Sequence, residues 1–328
     1  MVVNEPKTQM MVINGTAADR YDFRVGNVVV KHTVSYIYLG SPFTENGKLI
    51  DVISLHVKSR VKDLNKFKIF CRKNETMPYV FKRTVLEAVI VSSLLYGSET
   101  WLMGSLKEVD KMYVSAVKSL LGVRETTRND TSLIEAGLPS IEQLVKKRTS
   151  AFIKKKLFSD RTADTPLIKI YRICERKRTK GFKYLNSLLN PLQQQDLPLC
   201  EKFRQLSTSK AVVYRKMNPD LSVHKAYLTN EYIDERERLA FTRFRLCSHR
   251  LKIETGRWAR IDVENRLCSC GNGIQDEEHV LFHCSKTEEE RRLFGVDGDV
   301  VRDMGVLMST MEVHDLVSFV FNCMEHFS

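Results

Sequence analysis

The nineteen residues RLCSCGNGIQDEEHVLFHC, from Arg266 to Cys284, hold three of the chain's eight cysteines and two of its eight histidines. So short a stretch has little apolar surface of its own to bury, so its ligand-bearing side chains constrain its fold most. Cys268 and Cys270 are two apart, which in an extended segment puts both thiols on one face. The GNG that follows permits a tight reversal. Asp276 can then cap a short helix through EEHVLFHC that turns His279 back toward the pair. Cys284 completes a C-x-C, eight-residue gap, H-x4-C set. Three sulfurs and one nitrogen make the closed tetrahedron that structural zinc accepts. His283, at i+4 from His279 on the same helical face, competes with Cys284 as fourth ligand. The bland alternative is a set of buried thiols beside a surface histidine. If zinc binds, it supplies folding free energy to a segment too small to have a core.

Charge separates this segment from what precedes it. Residues 1–266 carry 48 Lys and Arg against 28 Asp and Glu, whereas residues 267–328 carry 4 against 12. A basic excess of that size favours polyphosphate partners. No run is apolar for the length of a bilayer span, and the opening MVVNEPKTQMMVIN lacks a signal peptide's layout, so an intracellular protein, nuclear or cytoplasmic, is expected. The scattered cysteines Cys71, Cys174, Cys200, Cys247 and Cys323 suit a reducing compartment.

Hydrophobic periodicity predicts a mainly α fold with a small N-terminal antiparallel β region. The first fifty residues, with runs such as NVVVKHTVSYIYLGS, read as short strands and hairpins. From about Asp51 the period becomes helical. In SLKEVDKMYVSAVKSLLG, apolar residues from Val109 to Leu121 recur at three and four, and Gly122 supplies the stop. VFKRTVLEAVIVSSLLYG is apolar nearly all round and predicts a buried helix. A helix after Pro139 places Ile141, Leu144, Val145 and Phe152 on its apolar side. The tail has Val313, Leu316, Val317 and Val320 at helical spacing, which predicts a docked terminal helix. These readings divide the chain into a β segment 1–50, helical segments 51–135, 136–190 and 191–262, a cysteine segment 263–294 and an acidic helix 295–328. NPLQQQDLPLC marks the third boundary.

Between Lys146 and Lys183 there are fourteen Lys or Arg and three acids. A solvated helix face is the ordinary reading of charge runs. One-sided charge of this density repels itself unless a polyanion is near, which makes Lys146, Lys147, Arg148, Lys154, Lys155, Lys156, Arg176, Lys177, Arg178 and Lys180 candidate phosphate contacts. Such residues position a backbone and do not read bases.

Six phrases in order, NEPKTQMMVIN, SYIYLGSPFTENG, VSSLLYGSETWLM, TSLIEAGLPSIEQLVKKR, FTRFRLCSHRLKIETGRW and RLCSCGNGIQDEEHVLFHC, resemble the carboxy-terminal part of a non-LTR (LINE-type) retrotransposon reverse transcriptase, from the first residues to about Phe294. The resemblance implies that Lys7 corresponds to a late palm lysine that assists pyrophosphate departure. It makes Tyr38, Leu39 and Gly40 a primer-grip-like hairpin, and the helices to about Leu121 a thumb. The basic linker helices and zinc knuckle would hold template RNA and target DNA. The family's metal-binding aspartates lie before the lysine motif, so no polymerase chemistry is expected from this chain. YIDE, Tyr232 to Glu235, looks like a helix start rather than a metal site. With no G-x-S-x-G, P-loop or H-E-x-x-H pattern, no other enzyme is indicated.

The reading is thus a noncatalytic RNA- or DNA-binding piece with structural zinc, which a palm-bearing reverse transcriptase chain could complete. Neither a membrane nor a small-molecule substrate is expected. The competing class is a zinc-stabilised helical scaffold that binds an acidic protein partner.

Overall fold

The computed structural model describes residues 8–100, 104–157, 165–189, 199–222, 225–296 and 303–327. Over these the protein is mainly helical, with its named strands confined to the N-terminal region. The change of period near Asp51 marks that transition. Lys7 lies outside the described residues.

The chain forms two compact units, each drawn from three stretches. Met1–Leu64, Val89–Tyr113 and Ser140–Gln195 form the first; Asn65–Ala88, Val114–Pro139 and Asp196–Ser328 form the second. The helical segment 51–135 therefore contributes to both. The basic segment 136–190 falls almost wholly in the first, and the cysteine segment in the second.

In the first unit, β1 (Gln9–Met10) runs parallel to β3 (Val28–His32), which pairs antiparallel with β2 (Phe23–Val25). β4 (Ser35–Tyr38) and β5 (Ser41–Thr44) form a separate hairpin in which Tyr38 faces Ser41. Its two turn residues, Leu39 and Gly40, both take positive φ, 48° and 81°, the mirror-image turn whose twist matches a hairpin. The Leu49–Lys73 helix places His56 and Arg60 one turn apart. His56 Nε2 lies 2.9 Å from Leu94 O, and Arg60 Nε donates to Ser93 O at 2.8 Å, which covers carbonyls that a helix end leaves unpaired. Burial, reinforced by the Arg60 charge, pushes the His56 imidazole down to about 4.

The run VFKRTVLEAVIVSSLLYG, expected from its composition to be buried on every side, is buried on one side only. Tyr79, Lys82, Leu86, Ile90 and Leu94 form one buried stripe, while Val80, Phe81 and Val89 are exposed. Strict four-residue spacing drifts around an α-helix, and the wider π turns of Leu86–Val91 cancel that drift. The Lys107–Leu121 helix matches its pattern, with Val109, Met112, Tyr113, Ala116, Val117, Leu120 and Leu121 buried. It ends where Gly122, at φ 66°, lets Val123 N reach Lys118 O.

The second unit is built on the helices Glu235–Arg245 and Val313–Glu325, which pack on each other. Phe241, Phe244, Leu316, Val317, Phe319 and Val320 are buried, and Tyr227 meets Phe241 edge-on at 4.9 Å. Asp234, in the YIDE stretch, is the N-cap of the first of these helices, its side chain accepting from Arg236 N.

Candidate metal centre and basic helices

One antiparallel bridge, Leu267 to Ile274, closes the loop that carries the first two cysteines. Within it Gly271 and Gly273 adopt φ of 85° and 101°, left-handed values that a side chain would strain. Cys268 N donates to Gly273 O at 2.8 Å. Asp276 then caps the Glu277–Phe282 helix by accepting from His279 N at 2.8 Å. At its other end Cys284 N donates back to His279 O. Loop, cap and helix end thus fold the four ligand-bearing residues onto one another.

Cys268 Sγ and Cys284 Sγ lie 3.7 Å apart, and Cys270 Sγ and His279 Nε2 3.3 Å apart. All four ligand atoms fall within 4.8 Å of one another. Bonds of about 2.3 Å to a central ion would set tetrahedral sulfurs about 3.8 Å apart, so this set could hold one metal ion in a closed shell. Of the two candidates for the fourth ligand, Cys284 is buried with its sulfur in the set, and His283 is exposed at the helix end. Asn272 N points at Cys270 Sγ from 3.4 Å and Gln275 Nε2 at Cys268 Sγ from 3.7 Å, outer donors that suit thiolates. Burial pushes the Cys284 thiol up to about 12 and lowers the His279 imidazole. Protons and a dication therefore compete for the sulfurs. A second group, Glu312, His314 and Asp315, is exposed. There the Glu312 carboxylate caps its own helix by accepting from His314 N and Asp315 N, and nothing else points to a ligand.

The cluster is anchored through neighbours that sequence reasoning did not single out. Glu277 Oε1 sits 2.9 Å from His249 Nε2, both residues buried. Arg266 reaches the carbonyls of Ile253 and Ile261, and it passes where Gly256 has no side chain: a Cβ there would lie 2.8 Å from Arg266 Cγ. Deeper in the unit, Arg245 makes a two-pronged bond to Glu135, Nε to Oε1 at 2.7 Å and Nη2 to Oε2 at 3.1 Å. Tyr214 and Tyr227 donate their hydroxyls to the same carboxylate.

The ten basic candidates all belong to the first unit. Lys147, Lys154, Lys155, Lys156, Arg176, Lys177, Arg178 and Lys180 are exposed. Arg148 is also exposed and bonds Glu99 at 2.7 Å, while the half-buried Lys146 bonds Glu142 at 3.1 Å. The Ile141–Leu157 helix buries Ile141, Val145, Thr149 and Ile153, and Phe152, expected on that face, is exposed. The inner stripe follows a four-residue step through Ile153. Tyr38, Leu39 and Gly40, expected to form a primer-grip-like hairpin, lie at an exposed hairpin tip, where Tyr96 Oη donates to Leu39 O at 2.7 Å.

Among the described residues no helix is long and apolar enough to cross a membrane. No protein-family model, no curated protein and no solved structure matches the chain.

Proposed function

We propose that this chain is a noncatalytic nucleic-acid-binding part of a LINE-type reverse transcriptase, held in shape by a structural zinc ion at Cys268, Cys270, His279 and Cys284. The observation that carries it is the Ile141–Leu157 helix, on which Lys147, Lys154, Lys155 and Lys156 are all exposed. Exposed lysines gathered on one element are what phosphate neutralisation requires. Three thiolates and an imidazole suit zinc and leave no open position for a reaction. The acids of Tyr232–Glu235 serve a helix start: Asp234 caps it and Glu235 accepts from Tyr79 N at 3.2 Å. These roles support reading YIDE as a helix start.

The test is binding of RNA and DNA across a salt series. Replacing Lys147, Lys154, Lys155 and Lys156 with Gln should weaken binding to all sequences alike and flatten the log–log slope by up to ~0.9 for each duplex phosphate no longer neutralised. Unchanged affinity and slope would favour the acidic-protein scaffold. That second reading has one observation of its own, the exposed Val80 and Phe81, and an interface with an apolar centre is far less sensitive to salt.

A further inference from the structure

We infer that the second unit carries its own single-strand site, a cleft of about 800 Å³ where Arg124, Arg236, Arg243 and Arg250 grip a phosphodiester backbone and Phe321 and Phe327 receive a base. This inference rests on the nucleic-acid reading and gives it a strand form and a second location. None of the ten basic candidates between Lys146 and Lys180 lines this cleft.

The charge balance comes first. Four guanidinium groups line the cleft against two carboxylates, Glu75 and Glu325. Two of the four are positioned by neutral groups rather than by acids. Arg124 lies 4.0 Å over the Trp258 ring and donates to the carbonyls of Ser248 and His249; Arg243 Nε donates to Gly122 O at 2.9 Å. Carbonyls and a ring fix the geometry of a cation without neutralising it. Burial lowers both Arg124 and Arg243, Arg250 repels each of them, and Glu254 and Glu75 offset only part of this. An anion entering the cleft would relieve that repulsion, and arginine's planar fork matches phosphate oxygens two at a time.

The aromatic lining selects the ligand. Phe321, Met324 and Phe327, at and just past the end of the last helix, are half-buried in the same cleft. A free phosphate or pyrophosphate would satisfy the arginines and leave the rings unused. A duplex keeps its base faces inside its own stack. A single strand offers a phosphate and a π face side by side, the pairing that sequence-tolerant single-strand sites use.

The test uses the full chain with a short labelled single-stranded oligonucleotide, the same sequence as a duplex, and pyrophosphate as competitor. Arg236→Gln with Arg250→Gln avoids the two arginines that also bond backbone carbonyls. It should cost about tenfold or more in single-strand affinity and flatten the salt slope by up to ~0.7 for each phosphate no longer neutralised. Phe327→Ala should weaken single-strand binding about fivefold or more and leave duplex binding unchanged, and Phe327→Tyr should restore it. Pyrophosphate should compete poorly. If the wild type binds strands and these variants bind them equally well, the cleft inference fails and the nucleic-acid reading stands. Equal loss of single-strand and duplex binding in Phe327→Ala, or efficient competition by pyrophosphate, would overturn the single-strand assignment. A wild type that binds no nucleic acid overturns both.

Discussion

Glu135 with Arg245, and the Cys268, Cys270, His279 and Cys284 set, are two polar groupings of the second unit that differ in what completes them. The carboxylate of Glu135 is met by a guanidinium and two tyrosine hydroxyls, all buried. Its charge is balanced inside the protein, and the balance is assembled from residues 110 positions apart. The sulfurs and imidazole of the other set face one another and neutral N–H donors such as those of Asn272 and Gln275. Three thiolates without a cation would repel, so that set becomes a stable ionised cluster only with something added from solution. A buried pair answers to mutation alone, whereas a ligand set answers to mutation and to chelation.

The largest effect should follow from taking the ion away. The purified protein should contain one zinc per chain, and Cys284→Ser should lose it, since a hydroxyl cannot replace a thiolate as ligand. His283→Ala should keep it, because His283 is outside the set. Structural zinc contributes on the order of 10 kcal/mol in small metal domains, so amides of residues 267–284 should lose hydrogen-exchange protection when chelator is added. Zinc retained in Cys284→Ser but lost in His283→Ala would establish the other shell.

The pair should come next. Glu135→Gln leaves Arg245 buried without its counter-charge, a change that costs about 3–5 kcal/mol, measurable by denaturant unfolding. Chelator should add nothing to that loss at the pair itself. Acid separates the two groupings further. Burial would raise the Glu135 carboxyl, but the Arg245 charge and the hydrogen bonds it receives outweigh this and hold it below the ordinary carboxylate value. Its contribution is therefore complete above the unfolded glutamate value of about 4.3 and is lost only as pH falls through the lower folded value. Thiolates take up protons more readily, so a pH titration should release zinc while near-ultraviolet signals from the Tyr214 and Tyr227 core persist. Simultaneous loss would mean that the pair depends on the ion.

The same contrast explains what could be read from sequence. The metal-binding candidates lie within seventeen residues, so spacing, the Asp276 cap and the glycine turn all speak through local geometry. The Lys107–Leu121 helix was legible for the same reason. Glu135 in SLIEAGLP and Arg245 in TRFRL carry no local sign that they meet, and as charged residues they read as surface. The arginines of the cleft, at 124, 236, 243 and 250, are likewise joined only by the fold. Failures of periodicity have their own cause: an apolar run reads as buried on every side, and only packing shows that Val80, Phe81 and Val89 face outward. A net excess of lysine could be counted, but which lysines are tied up in pairs, as Lys146 is with Glu142, depends on neighbours.

The smallest effect should arise where the two groupings are nearest to being linked. Glu277 opens the helix that presents His279, and its carboxylate bonds His249, whose ring lies 5.7 Å from that of Phe244 in the core. If this bond transmits order between core and cluster, Glu277→Gln and His249→Gln should each lower unfolding stability by about 1–2 kcal/mol, with a coupling of the same size in the double variant. Zinc affinity should also fall, by roughly tenfold as for other outer partners of a metal site, because the His279 helix is less firmly oriented. A stability loss with zinc affinity unchanged would show instead that the bond belongs to the core alone. The ligand set would then be organised by its own loop, the Asp276 cap and the helix end.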